Sequence, residues 1–541
     1  MKNFIIFISI LVLSTTVLDA QNDKKKSKVT YKLKMAEAHH AMLGDRNYRA
    51  ALNIYRELLT SFTNDAMINF RIGECYLGLH DYELAVEYFQ NAKNLDEKVT
   101  PELYYKLGEA YHHNEQLKEA LEALTTFKSK AKKKYLKLYN ADKRIAQVNY
   151  ATKMMQHPVD VQIEILSDKI NSRGGDYAPS ITADGTTMIF TSRRADTKGG
   201  GIDKAGDYKY FEDIYIAQWD STTNEWGRSY PIEGNINTEG HDACLSISPS
   251  GEEIFIYRND GNLYIGDIFV SKKRPTSGKW STPRELAKPI NTSFFESSAQ
   301  LSSDGNTLFF VSERTGKKNN VVGKGDIYVS GRKSSNVWTT PKNLGTTINT
   351  PEDEISVFIH PDGKTLFFSS KGHLSMGGYD IFMTKLQDDS TWTTPQNLGY
   401  PINTVNDDLH FVLSTDGKTA YYSNQRKDGM GERDIYKINM EKYPVLSEGV
   451  AINLSILKGE IKNPEQEAVV NAKITFTDEN GKSVANTLSS EDGQYFITLV
   501  GGKKYQMNIS AEGYTTLSKE IELGIGKSTI LTQTEDVVLE R

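Results

Sequence analysis

Between about residues 28 and 156, apolar positions recur at three- and four-residue spacing while Gly and Pro are sparse, which predicts amphipathic helices. The stretch also repeats itself, with Ala38, Gly73 and Gly108 each 35 residues apart. Ile72, Tyr76, Ala85, Phe89 and Ala92 surround Gly73, and Leu107, Tyr111, Ala120, Leu124 and Phe127 surround Gly108. Ala41 and Ala50 mark a weaker first unit. A small residue at the crossing lets two antiparallel helices approach closely, and the aromatics fill the space beside it. Three helix pairs are predicted, about the minimum that buries a stacked core. Tyr135–Met155 is read as a capping helix, and Pro158 stops it.

From Val159 to about Pro444 the period changes to short alternating strands. Five copies of one unit align. The turn dipeptide is Asp184-Gly185, Ser250-Gly251, Asp304-Gly305, Asp362-Gly363 and Asp416-Gly417, each between two strands as in a hairpin. A third strand opens with Asp-Ile-aromatic at Asp213, Asp267, Asp326, Asp380 and Asp434. Ile-Asn steps end at Asn171, Asn237, Asn291, Asn349 and Asn403, whereas the Trp-Pro segments, at Trp226, Trp280, Trp338 and Trp392, are only four. The first Ile-Asn precedes the first hairpin and the last unit lacks its closing strand, so a strand near Val161–Leu166 is expected to complete it. The pattern predicts a closed all-β propeller of five four-stranded blades. A sixth, degenerate blade would need about 50 residues for which no unit is visible. After Tyr443, about seven short strands with turns at Asn480-Gly481, Asp492-Gly493 and Gly501-Gly502 predict a small β-sandwich. The expected domains are 21–157, 158–444 and 445–541.

At 541 residues the chain is too long for one core, in keeping with this division. The net charge of −6 is spread along the chain, so no surface for nucleic acid by counterion release is visible. Lys2, the apolar run Phe4–Val12 and the end Leu18-Asp19-Ala20 read as a secretory signal peptide over residues 1–20, cleaved after Ala20. The apolar run is too short to span a bilayer and no later segment is long enough, so the mature chain is expected not to span a membrane. Cys75 and Cys244 fall in different domains and read as buried small apolar residues rather than a disulfide or a metal pair.

The chain holds no Gly-x-Ser-x-Gly elbow, His-Glu-x-x-His helix, phosphate loop or Cys-x-x-Cys. His39-His40 and His112-His113 are helix neighbours that point apart, and "GKGDIYV" opens a strand rather than a helix. No catalytic residue, metal or cofactor is therefore expected. One constellation recurs: an acid nine positions before each turn Gly, at Asp176, Asp242, Glu296, Glu354 and Asp408. In a propeller these would ring one mouth of the channel. Either they bind a partner there, or they are held by backbone amides and by the basic residues after the second strand, Arg193, Arg258, Arg314, Lys371 and Arg426. The third-strand Asp residues read as turn caps, and the four Trp as core packing.

The helical spacing resembles the tetratricopeptide pattern. The motif "SxDGxxLFFxS…GxxDIY…W..P.NLG..IN" resembles the TolB-like, WD-related propeller repeat, and "GEIKN…AKITFTDENGK…DGQYFITLVGGKKYQMNISAEGY" is similar to the carboxypeptidase regulatory-like sandwich. The order resembles that of PorE-like envelope proteins of the Bacteroidetes, which belong with type IX secretion and continue into an OmpA-type peptidoglycan-binding domain. Here the chain ends at "EDVVLER", so direct wall binding through that domain is not carried over. The resemblance implies a non-enzymatic periplasmic scaffold, associated with the outer membrane through other proteins of the secretion or gliding machinery, and with peptidoglycan only indirectly. The alternative is a glycan- or peptidoglycan-associated binding protein.

Overall fold

The computed structural model describes residues 28–204, 208–258, 266–274, 277–334, 336–446, 454–526 and 530–541. The expected signal segment, residues 1–20, lies outside them. The chain divides into two compact units, Met1–Asn149 with Lys204–Tyr208, and Tyr150–Asp203 with Lys209–Arg541.

The described part of the first unit is helical: α1 (28–43), α2 (Tyr48–Ser61), α3 (Ala66–Gly78), α4 (Tyr82–Leu95), α5 (Leu103–His113), α6 (Leu117–Lys130), α7 (Lys133–Tyr139) and the first turns of α8 (Ala141–Gln156). Asn47, Asp65 and Asp81 cap α2, α3 and α4 by accepting from the amides of Ala50, Ile68 and Leu84 at 3.0, 2.9 and 3.3 Å. The turns between paired helices repeat as well, since Arg46, His80 and Glu115 all adopt left-handed backbone at φ 52°, 61° and 62°. Gly73 and Gly108 act as predicted. A Cβ on Gly73 would sit 2.8 Å from the Phe89 ring, and one on Gly108 2.7 Å from Leu124. Phe70, Phe89 and Phe127 fill the core so formed. Helices α3 and α5 touch each other more closely than α4 and α6 do, so α3 and α5 belong to one, inner layer.

The second unit holds five antiparallel sheets. They open with Asp176–Ile181, Asp242–Ile247, Glu296–Leu301, Glu354–Ile359 and Leu409–Leu413. The strand expected near Val161–Leu166 runs from Gln162 to Ile165 and pairs with Asp434–Asn439, the third strand of the fifth sheet, in the register Gln162↔Asn439. Each opening strand packs beside that of the next sheet, and the fifth beside the first. The turn glycines, Gly185, Gly251, Gly305, Gly363 and Gly417, all take φ between 69° and 79°, which explains the repeated dipeptide. The third-strand acids cap loops as read from sequence: Asp213, Asp326, Asp380 and Asp434 accept from the amides of Lys198, Val322, Met376 and Met430 at 2.7–2.8 Å. Trp226 and Trp338 are buried, and Trp280 and Trp392 are partly so.

Each Ile-Asn asparagine pins a third strand. Asn237, Asn291, Asn349 and Asn403 accept from the amides of Ile214, Ile268, Ile327 and Ile381 and donate back to the carbonyls of the same residues. Asn171 does the same to Ile435, 264 residues away. A side-chain amide thus stands in for one rung of a ladder.

The C-terminal portion has two sheets, Leu454–Lys462 with Gln494–Val500 and two short parallel strands, and Lys473–Thr477 with Ser483–Leu488, Lys503–Ser510 and Leu517–Leu523. Leu457, Ile474, Phe476, Ile497 and Met507 form the core between them. It meets the turns of the third and fourth sheets, where Thr498 Oγ1 donates to Pro361 O at 2.5 Å and Thr487 Oγ1 to Asp304 O at 2.8 Å. A cleft of about 800 Å³ remains beside this contact.

Candidate functional site

Helices α3, α5 and α8 place charged residues at the same repeat positions, Arg71 with Lys106, and Glu74 with Glu109 and Arg144, each step 35 residues. On α3, Arg71 Nη1 bonds Glu74 Oε2 at 2.6 Å; on α5, Lys106 Nζ bonds Glu109 Oε2 at 2.9 Å. Arg144 of α8 reaches the other oxygen, Glu109 Oε1, at 2.9 Å. Burial raises the Glu109 carboxyl, but Lys106 and Arg144 outweigh it and hold the group at about 2. Tyr139 packs on Tyr105 beside this ladder with ring centroids 4.7 Å apart, and His113 stacks on Tyr82 at 4.9 Å. Between 16 and 23% of each of the five charged side chains stays exposed, so the ladder is reachable from solvent. Alternating half-buried charges on the inner layer can exchange their internal partners for those of a polypeptide laid across them. Neither a nucleophile nor a poised base stands among these residues. The sequence reading missed this ladder, although its recurrence every 35 residues is the same signal that exposed Gly73 and Gly108.

The five acids read from sequence as a ring at a channel mouth are all 0% exposed or have side chains with no exposure. Each is held by the Ser or Thr four residues before it, through both the backbone amide and the hydroxyl. Asp176 accepts from Ser172 (2.6 and 2.6 Å), Asp242 from Thr238 (2.5 and 2.7 Å), Glu296 from Thr292 (3.0 and 2.7 Å), Glu354 from Thr350 (2.8 and 2.6 Å) and Asp408 from Thr404 (2.6 and 3.2 Å). Of the two readings offered by the sequence, these buried and internally bonded carboxylates favour the one in which backbone amides and neighbouring side chains hold them as latches. The local signal is Asn-[Ser/Thr]-x-x-x-acid, which follows every Ile-Asn step.

The basic partners differ from those expected. Arg258 and Arg314 engage Asp242 and Glu296, but Asp176 is paired with Arg194 at 3.0 Å rather than with Arg193, whose Nε donates to Tyr210 O. Arg314 Nη2 also donates to Ile290 O at 2.6 Å, tying the acid to the Ile-Asn step. In the fourth sheet this arrangement fails: Lys371 lies over the Tyr379 ring at 4.0 Å, and His373 donates to Ile348 O at 2.8 Å in place of a guanidinium. Without it, burial pushes the Glu354 carboxyl up to about 7. Burial likewise pushes Asp380 up to about 8, and it raises Asp408 with help from the neighbouring Asp380 charge. In the fifth sheet Asn424 donates to Asp408, while Arg426 donates to Pro401 O at 3.2 Å.

A tetratricopeptide repeat model matches residues 68–99 and 101–127, and a carboxypeptidase regulatory-like domain model matches residues 456–537. None of the curated proteins matches the chain. Among solved structures, the type III secretion chaperone SycD of Yersinia enterocolitica, in complex with a peptide of the translocator YopD, is 19% identical over 24% of this chain and 95% of its own, with a TM-score of 0.21. The second tetratricopeptide domain of human RPAP3, in complex with an HSP70 peptide, is 17% identical over 22% of this chain and 97% of its own, with a TM-score of 0.19. The α-L-arabinofuranosidase PaAbf62A of Podospora anserina, in complex with cellotriose, is 12% identical over 51% of this chain and 94% of its own, with a TM-score of 0.34.

Proposed function

We propose that the protein is a non-enzymatic periplasmic scaffold in which the tetratricopeptide inner face takes a partner polypeptide and the β-rich remainder forms a closed five-bladed propeller carrying a small sandwich. The partner-binding role rests on one observation, the partly exposed ladder in which Arg71, Glu74, Lys106 and Glu109 of the matched repeats are joined by Arg144 of the helix that follows them. Closure of the propeller is supported by the pairing of Gln162–Ile165 with Asp434–Asn439 and by the Asn171 pin on Ile435. Such pairing covers the edge of Asp434–Asn439 that the last unit would otherwise leave open. The link to type IX secretion or gliding machinery follows from the resemblance of the domain order, and a periplasmic address from the signal-like residues 1–20.

Pull-down from crosslinked envelopes tests the reading, with the wild-type chain and a Lys106→Ala/Arg71→Ala variant compared at equal melting temperature. Secretion-machine subunits recovered by the wild type and lost by the variant support it. Identical recovery by both removes the inner face as the binding surface, and turnover of any member of a glycan panel overturns the non-enzymatic part. The second reading, a glycan-associated binder, is favoured by the hydroxyl- and amide-rich cleft that includes Ser250, Ser302, Asn306, Ser489 and Tyr495. Retention of the chain on immobilised peptidoglycan, lost on Tyr495→Ala, would mark that reading instead.

A further inference from the structure

The C-terminal portion leaves one strand edge unpaired. Gln494–Val500 pairs with Leu454–Lys462 on one side and is the last strand of its sheet, so among the described residues no strand takes its other side. Lys458 stands opposite Phe496 in this ladder, yet its carbonyl accepts from the Glu535 amide at 2.8 Å. Ile456 stands opposite Thr498 and donates its amide to Leu531 O at 2.8 Å. Two residues that face each other across an antiparallel ladder either exchange both backbone bonds or both turn away. The N–H and C=O of Phe496 and Thr498 therefore point to the free edge.

Both ends of that edge are closed. Gln494 is taken by its own turn, its carbonyl accepting from the Ser490 amide at 2.8 Å and its amide donating to Ser490 Oγ at 3.1 Å. Thr498 is seated on the turns of the third and fourth of the five sheets, its hydroxyl 2.8 Å from Ser303 Oγ and 2.5 Å from Pro361 O. Between these ends lies the cleft of about 800 Å³. Lys458 and Phe496 line it from one sheet of the C-terminal portion, and Thr487 and Leu488 from the edge strand of the other, so the open edge at Phe496 runs along it. The hairpin turns at Ser250-Gly251 and Asp304-Gly305 form the opposite wall. Ligand sites span about 300–1,000 Å³, so the space suffices for a short extended segment.

The lining is unevenly charged, with seven acids and four bases. Arg332 and Lys272 share Glu253, at 2.8 and 3.6 Å, and Lys462, just outside, holds Glu460 at 2.5 Å. The five other acids have only Lys273 and Lys458 beside them in the lining. Burial raises the Glu252 carboxyl, Lys273 and Lys458 pull it down, and the Asp492 charge adds to the rise. An incoming ammonium or guanidinium would offset this excess of carboxylates. The strand edge thus asks for peptide N–H and C=O groups, and the wall above it for basic side chains.

We propose that the cleft binds an extended lysine- or arginine-bearing segment of a partner polypeptide, added as a strand beside Gln494–Val500. The segment exchanges both backbone bonds with Phe496 and turns its basic side chains toward Glu252 and Asp492. This surface lies beyond the inner-face reading, since it uses no residue of α3, α5 or α8.

Titration calorimetry on the full mature chain tests this with four probes. They are the acetylated and amidated peptide Thr-Lys-Val-Lys-Val-Thr, the same peptide with Glu for both Lys, the Lys peptide N-methylated at its four central residues, and chitotetraose. The Lys peptide is expected to bind with a Kd below about 1 mM, and the Glu and N-methylated peptides about tenfold more weakly or worse. Glu252→Gln/Asp492→Asn should weaken the Lys peptide by about tenfold, while Glu522→Gln, on the far edge strand Leu517–Leu523, leaves it unchanged. Should the double variant melt early, the Lys and Glu peptides carry the same charge test on the unaltered protein. Equal affinity for the plain and N-methylated peptides, equal affinity for the Lys and Glu peptides, or no heat from the Lys peptide at about 1 mM would each overturn the proposal. Heat from chitotetraose alone would overturn it as well and give the cleft to the glycan reading. The inner-face ladder is untouched by these variants, so the outcome is separate from that of the envelope pull-down.

Discussion

Replacing Asn171 by Leu tests the closure of the five sheets most directly. Asn171 is 1% exposed, and its Oδ1 accepts from the Ile435 amide at 2.8 Å while Nδ2 donates to Ile435 O at 2.9 Å and Leu166 O at 2.8 Å. Leu keeps the branching at Cγ but is larger and has no polar atom, so the substitution leaves the amide of Ile435, a residue at 0% exposure, without a partner, while Ile435 O still accepts from the Leu166 amide at 3.1 Å. A buried polar group so orphaned costs about 1–3 kcal/mol, here about 2 kcal/mol. Asn291→Leu is the matched control, because Asn291 makes the same two bonds to Ile268 at 3.0 and 2.9 Å within a span of 23 residues. In a closed ring both substitutions weaken one cooperative unit, and each should lower the melting temperature by roughly 4 °C or more. In an open array Asn171 would hold only a terminal strand. Asn171→Leu would then fray residues 162–175 without moving the main transition. Urea denaturation read by tryptophan fluorescence, with limited proteolysis at residues 162–175, distinguishes the two. A loss below about 0.5 kcal/mol for Asn171→Leu beside about 2 kcal/mol for Asn291→Leu would refute closure.

Two further outcomes follow from the buried groups. Glu354 has its carboxyl raised in the folded state, so its contribution is fullest below the ordinary value of 4.5 and is lost as pH rises through about 7. Glu354→Gln should accordingly gain up to about 3 kcal/mol relative to wild type at pH 8 and nothing at pH 4, as melting curves across that range would record. Equal pH profiles for the two proteins would mean that the carboxylate is paired after all. Gly73→Ala should lose about 1–2 kcal/mol of helical-unit stability, because overpacking against Phe89 exceeds the gain in helix propensity, and circular dichroism melts would show the unit stabilised instead if the helices can part.

The division into helical repeats, five strand units and a third β portion was legible in the chain because each depends on local periodicity. Gly73, Gly108 and the five turn glycines announced close approaches and left-handed turns by composition alone, and the structure has both. The unequal counts of Trp-Pro and Ile-Asn segments foretold that a strand before the first unit pairs with the last, as Gln162–Ile165 does. The inner-face ladder shares the 35-residue spacing, but charges at helical spacing ordinarily mark a solvated face, so their pairing shows only in the structure.

Direction and neighbourhood were decided only in three dimensions. Arg193 and Arg194 are adjacent, and successive side chains near a strand end point to opposite sides, so the choice of Arg194 as the partner of Asp176 turns on the register of the strand and on where the next sheet lies. The five acids recur with perfect spacing, yet spacing says nothing of whether a carboxylate faces water or the amide of a Thr four residues back. Asn171 and Ile435 lie 264 residues apart and share no motif. Periodicity is a property of the chain, whereas burial and charge balance belong to surfaces that exist only after distant segments have met.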